Sequence, residues 1–166
     1  MDAHRPADAP VRLTTALGVL LVALLATCGI LGWQLREAQA LEDRRTAVLQ
    51  AATDHVGTFL SIDYRRAPQA TAAVLRTAAG EFRSQYAASR ERLHQLVRQN
   101  RTVSTGKVLS AGVVSSDPDS ARVIVVADSQ VKNVASAQPQ PRHYRLQLDL
   151  ARHGERWLVT SLEFVG

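Results

Sequence analysis

The chain has 166 residues, 46% of them hydrophobic, with 20 Lys and Arg against 15 Asp and Glu. That length holds one domain with an appendage and excludes a multidomain enzyme. The single cysteine, Cys28, excludes an intramolecular disulfide framework, and plentiful apolar residues with a net charge of only +5 exclude disorder throughout.

Residues 1–12 read as a short tail. From Leu13 to Trp33 follow 21 residues without a charge, bounded by Arg12 and Arg36. A bilayer core takes about 20 helical residues, so a transmembrane helix is expected over 13–33. Two cleavage readings stand beside a retained anchor. Ala38-Gln39-Ala40 has the small residues of a signal-peptidase site, after an apolar run longer than the usual roughly 7 to 15 residues. Leu25-Ala26-Thr27-Cys28 resembles a bacterial lipobox, with apolar Gly29-Ile30-Leu31 where a polar tether is expected. Flanking arginines barely choose an orientation, since Arg5 and Arg12 precede the span and Arg36, Arg44 and Arg45 follow it. The layout of short tail, one span and long domain is that of a signal anchor, which favours a C-terminal domain outside the cytoplasm.

A membrane-proximal helix is expected over 34–62, because Leu41, Val48, Ala52, Val56 and Phe59 recur at helical spacing with charged residues between them. The rest of the domain is expected over 63–166. Asp63-Tyr64-Arg65-Arg66-Ala67-Pro68 should interrupt the helix, with Ala67 pushed out of the helical region by the proline after it. Val74, Leu75, Ala78, Phe82 and Tyr86 share a second stripe that Leu93, Leu96 and Val97 continue to about Arg98, and Gly80 should divide it into two helices. After Arg101 the period becomes two. Strands are expected over 103–114, 123–127, 144–150 and 157–165. The unbroken apolar run Val123 to Ala127 predicts a strand covered on both faces, whereas Tyr144, Leu146, Leu148 and Leu150 alternate with polar residues and predict one wet face. Ser116-Asp117-Pro118-Asp119-Ser120 and His153-Gly154-Glu155 supply turns, and Pro139-Gln140-Pro141 is assigned to a longer connection. The fold class is α+β, with helices packed on a curved antiparallel sheet of about four strands.

Catalytic signatures are missing. His4, His55, His94, His143 and His153 stand far apart and predict solvated side chains rather than a metal set, and there is no phosphate loop, GxGxxG or GxSxG. No cofactor and no enzyme activity are expected. Asp63 beside Tyr64 is the one acid and phenol pair at a helix boundary, where capping explains the acid better than general acid-base chemistry does. Phe59, Tyr64, Phe82, Tyr86 and Trp157 are the candidate cavity-lining or core residues. Residues 34–101 carry 11 Arg against 7 acids, and Arg83, Arg90, Arg92, Arg98 and Arg101 lie along one helical region. Interspersed Glu81 and Glu91, and the lack of stacking aromatics beside them, argue for a solvated or partner-facing helix and against nucleic acid.

Several segments together resemble the Mce-associated membrane proteins of actinobacteria. They are Phe59-Leu60-Ser61-Ile62-Asp63-Tyr64-Arg65, Gly80-Glu81-Phe82-Arg83-Ser84-Gln85-Tyr86, Ser120-Ala121-Arg122-Val123, Tyr144-Arg145-Leu146 and Arg156-Trp157-Leu158-Val159. The resemblance implies a cytoplasmic N-terminus, a single span in the cell membrane and an extracytoplasmic NTF2-like or cystatin-like roll. It also implies a non-enzymatic accessory role beside the protein subunits of a fatty-acid or sterol importer. The same architecture is similar to periplasmic scaffold domains of type IV secretion systems, and an NTF2-like domain that binds a small apolar ligand is a third reading. A cavity between the helices and the concave sheet face would favour the ligand reading; a filled core would favour either assembly role.

Overall fold

A computed structural model describes residues 28, 33, 36–37 and 39–165. The chain divides into two units, Met1–Asp43 and Arg44–Gly166. The expected span over 13–33 lies outside the described residues except for Cys28 and Trp33, and among the described residues no helix is long and apolar enough to cross a membrane.

Helix α1 covers residues 39–59, of which 44–59 belong to the second unit. Strand β1 (Ile62–Asp63) and a 3-10 turn (Tyr64–Arg66) follow, then α2 (Ala67–Arg76), α3 (Gly80–Ala88) and α4 (Arg90–Gln99). Four long strands complete the chain: β2 (Val103–Ser116), β3 (Ser120–Asn133), β4 (Ser136–His153) and β5 (Arg156–Phe164). They form one antiparallel meander in the order β1-β2-β3-β4-β5, so the sheet has five strands and not four. Its extra strand is too short to carry a period.

Ala67 is helical after all, with φ −55° and ψ −41°, and opens α2. Proline is tolerated in a first turn because the amide it lacks would have no partner there, and this outweighs the bias on the residue before it. The stripe from Val74 to Arg98 breaks twice, at Thr77–Ala79 and at Ser89. At the first break Ala79 N–H donates to the Val159 carbonyl (2.8 Å) and Val159 N–H to that of Thr77 (3.0 Å), so the segment adds briefly to the β5 edge. Gly80, with φ +56°, then turns the chain into α3.

Among the described residues only one face of the sheet is buried. Ala121, Val123, Val125 and Ala127 of β3, Leu146, Leu148 and Leu150 of β4, and Trp157 and Val159 of β5 form the core with Val48, Ala52 and Val56 of α1. The expectation that Val123 to Ala127 is covered on both sides is therefore corrected. Ile124 and Val126 are 41% and 36% exposed, and they share the outer face with the cross-strand pairs Arg122–Asp149 and Asp128–His143. An apolar run marks two buried faces only where a second layer exists to cover it.

Pro139-Gln140-Pro141 lies inside β4 and not in a connection. Pairing with β5 begins at Leu146, so this stretch has β3 as its only neighbour. Proline suits such an edge because its missing donor costs no ladder bond there. Register shifts after Val108 and Val113 in β2, and after Asp149 in β4, bend the sheet into a curl. Where α1 meets β2 the approach is so close that a Cβ on Gly106 would sit 2.5 Å from the Leu60 Cβ. Ser104 Oγ donates to the Leu60 carbonyl (2.6 Å) and Gly106 N–H to Ser61 Oγ (3.0 Å), closing that junction.

One-sided burial separates two substitutions. Trp157, in the core at 8% exposure, should cost on the order of 3 to 5 kcal/mol on truncation to Ala, whereas Ile124→Thr on the outer face should stay within about 0.5 kcal/mol. Chemical denaturation of both variants checks this, and equal midpoints would overturn the assignment of faces.

Candidate functional site

Beyond the end of α1 the helical layer and the sheet part, leaving a cavity of about 470 Å³. Phe59 from α1 and Ile62 from β1 form one side; Phe82, Gln85 and Tyr86 come from α3, Leu93 and Val97 from α4, and Leu162 and Phe164 from the end of β5, with Ser89 between the helices. The rings of Phe59, Phe82 and Tyr86 stand 5.7 to 6.2 Å apart between centroids and make a continuous aromatic wall. Phe164 pairs with Tyr144 at 5.8 Å and yet stays 60% exposed. The only hydrogen-bonding side chains in the lining are Gln85, Tyr86 and Ser89, and none of the lining residues carries a charge. Burial raises the Tyr86 pKa, ahead of a smaller opposing effect from a hydrogen bond with Thr71, so its phenol stays neutral. Such a lining can hold an apolar body; it offers no acid, base or nucleophile poised for chemistry.

Two histidines fix the wall from behind. His55 and His94 are buried, a correction to the solvated side chains expected for all five histidines. His55 Nδ1 lies 2.7 Å from Thr77 Oγ1, and that hydroxyl donates to the Val74 carbonyl (3.0 Å). His94 Nε2 lies 2.9 Å from Thr71 Oγ1, which donates to the Ala67 carbonyl (2.9 Å). A hydroxyl has one proton to give, so in both pairs the imidazole is assigned as the donor. His55 then keeps a lone pair on Nε2 that is buried and has no partner among the described residues. Its ring packs edge-on against Phe82 at 5.3 Å.

Of the five candidate residues, Phe59, Phe82 and Tyr86 meet in the cavity and Trp157 sits in the core. Tyr64 belongs to neither set: it is half-buried in the 3-10 turn, with the Arg65 guanidinium 5.6 Å from its ring centroid. Asp63 accepts from Arg65 N–H (2.9 Å) and from the Arg65 guanidinium, and those side-chain and backbone hydrogen bonds hold its pKa below the usual carboxylate value. Leu93 and Val97 are legible only as members of a helical stripe, and Leu162 and Phe164 escape notice because alternation from Trp157 and Val159 would turn them outward, until the extra residue at Thr160 brings them to the inner face. Among the described residues no group of three or more His, Cys, Asp or Glu side chains could hold a metal ion.

Burial pulls the His55 pKa from 6.5 to about 4, overcoming the upward effect of a hydrogen bond with the Thr77 backbone. An unfolded chain therefore binds a proton that the folded one refuses. The stability is fully present above the unfolded value near 6.5 and is lost as pH falls toward 4. Between pH 7.5 and 5 the loss should be about 2 kcal/mol. Replacing His55 by Phe should flatten that part of the profile, as read by denaturant melts at both pH values; an unchanged slope would show that His55 titrates freely.

Comparison with known proteins adds kinship. Residues 10–166 match the family described as "Uncharacterized protein Rv1363c/MT1408-like". The protein Rv1363c of Mycobacterium tuberculosis is 30% identical over 155 residues, which are 92% of this chain and 59% of that protein, so the chain spans well under two thirds of its relative's length. An IcmL-like type IV secretion system protein from Legionella pneumophila has a TM-score of 0.60 at 16% identity, over 73% of this chain and 91% of that one. The periplasmic domain of DotI scores 0.61 at 11% identity, over 72% and 94%. A putative aromatic ring hydroxylase from Novosphingobium aromaticivorans scores 0.53 at 13% identity, over 74% and 94%. At these identities the likeness speaks of the fold, a curled NTF2-like roll, and not of activity. By the match over nearly its whole length, the chain belongs to the Rv1363c/MT1408-like family.

Proposed function

We propose that this chain is a membrane-tethered, non-enzymatic assembly subunit of a cell-envelope complex, with its roll outside the cytoplasm. The observation that carries the reading is the likeness of the roll to the IcmL-like protein and to the periplasmic domain of DotI. The uncharged run over 13–33 supports a tether, and Trp33 at its end, 69% exposed, is the kind of residue that settles at a membrane interface. A tether acts by raising the effective concentration of the roll around its partners without new contacts. Solvated arginines, among them Arg92 and Arg98 of α4 and Arg101 just beyond it, leave a basic surface for them.

Scaffolding of a secretion-type machine is the form of this reading that the fold favours. Assistance to a lipid importer is the second form. It is supported by the resemblance of Phe59–Arg65 and Gly80–Tyr86 to Mce-associated proteins, because those two segments supply Phe59, Ile62, Phe82, Gln85 and Tyr86 to the cavity.

Topology is tested with Asp119→Cys, at an exposed position in the β2–β3 turn, in a chain also carrying Cys28→Ser. An impermeant thiol reagent should label intact cells; labelling only after lysis would reverse the orientation. Crosslinking and isolation of the full chain from membranes should recover integral membrane subunits, and recovery of the chain alone would remove the assembly role. The two forms part on lipid uptake normalised to protein abundance, which should collapse on deleting residues 13–33 if the importer form holds and stay unchanged if the secretion form does. In the importer form Asp63→Asn should keep uptake within about twofold, since amide oxygen still caps the 3-10 turn. A folded, abundant Asp63→Asn protein as inactive as a deletion would make Asp63 a chemical group.

A further inference from the structure

Assembly by itself names no occupant for the cavity beyond α1, and the chemistry of the lining specifies one. We infer that it binds a neutral, predominantly apolar small molecule, an aliphatic or aromatic alcohol or amide, with its body against Phe59, Phe82 and Phe164 and one polar group toward Tyr86, Gln85 or Ser89. This goes beyond the assembly reading and does not depend on it.

Four observations converge. The first is size: about 470 Å³ lies within the range of small-molecule sites and suits roughly 15 non-hydrogen atoms. The second is charge. No ionised group lines the cavity, and the one titratable lining side chain, Tyr86, is held in its neutral form by burial, so a carboxylate or ammonium entering would lose water and find no counter-ion. The third is Phe164, an aromatic on the cavity wall left 60% exposed although the core a few residues away is filled, so apolar surface remains for a guest to cover. The fourth is rigidity. His55 and its Thr77 hydrogen bond brace Phe82 from behind, which keeps the wall from collapsing into the space. The polar groups are few and the rings stand at fixed spacing, the usual composition of a site that binds by shape and apolar contact with one orienting hydrogen bond.

The test uses the full chain in lipid nanodiscs and a dodecanol carrying a diazirine on its chain, beside the matching dodecanoate. After photolysis the labelled residues are mapped by peptide mass spectrometry. The alcohol should label peptides holding Phe82 to Leu93 and Leu162 to Phe164, saturably, and about tenfold more efficiently than the carboxylate at neutral pH. Ser89→Phe, a substitution at an exposed helix junction that fills the cavity from its margin, should lower this labelling about tenfold while label in residues 13–33 stays constant. Gln85→Phe, on the exposed side of α3, fills it from a second direction and guards against a folding defect in either variant. Labelling confined to residues 13–33, equal labelling by the carboxylate, or cavity labelling untouched in both folded variants would each overturn the inference.

Discussion

A sheet that can bury only one of its faces governs the rest of this structure. The inner rows Ala121, Val123, Val125 and Ala127, and Leu146, Leu148 and Leu150, need an apolar cover, and α1 supplies it with Val48, Ala52 and Val56. Small and β-branched residues along that stripe let the helix lie close to the strands, and Gly106 marks the closest approach, where no side chain fits beside Leu60. Strand β5 ends at Phe164 beside Leu146 of β4, and at that end α1 contributes only its last residue, Phe59. The cavity is what remains at that end, walled by whatever other helices can reach it.

Those helices are held by polar contacts inside an apolar layer. Thr71 and Thr77 return their protons to their own helix, which leaves each hydroxyl free to accept from a buried imidazole, His94 from α4 and His55 from α1. In this way α2 is tied to both neighbours by groups that would be costly to bury unpaired. The Thr77–Ala79 segment then anchors to Val159, and Gly80 directs α3 so that Phe82 and Tyr86 face Phe59. The unpartnered Nε2 of His55 is the cost of the arrangement: it is what resists protonation.

Function on such a roll is set by what is attached to it. The same curl serves secretion-machinery domains and a putative hydroxylase, so the fold is neutral about chemistry. In this chain the inner cavity carries rings and hydroxyls but no charge, and the outer sheet face carries the Arg122–Asp149 and Asp128–His143 pairs with apolar Ile124 and Val126 between them. Both surfaces present side chains suited to contact with another molecule.

The sequence alone determined what depends on near neighbours. The helical spacing of Val48, Ala52 and Val56, the alternation from Tyr144 to Leu150, the turn residues of 116–120 and 153–155, and the uncharged run over 13–33 are all legible, because backbone geometry ties side-chain direction to position along the chain. Tertiary structure decided what depends on residues far apart. Whether Ile124 is wet, whether His55 is buried, whether Ala67 begins a helix and whether Pro141 can sit in a strand each turn on the presence or absence of a second element alongside. The cavity is the extreme case: Phe59, Tyr86 and Phe164 share no period and no motif, and only the packing of α1, α3 and β5 brings them around one space.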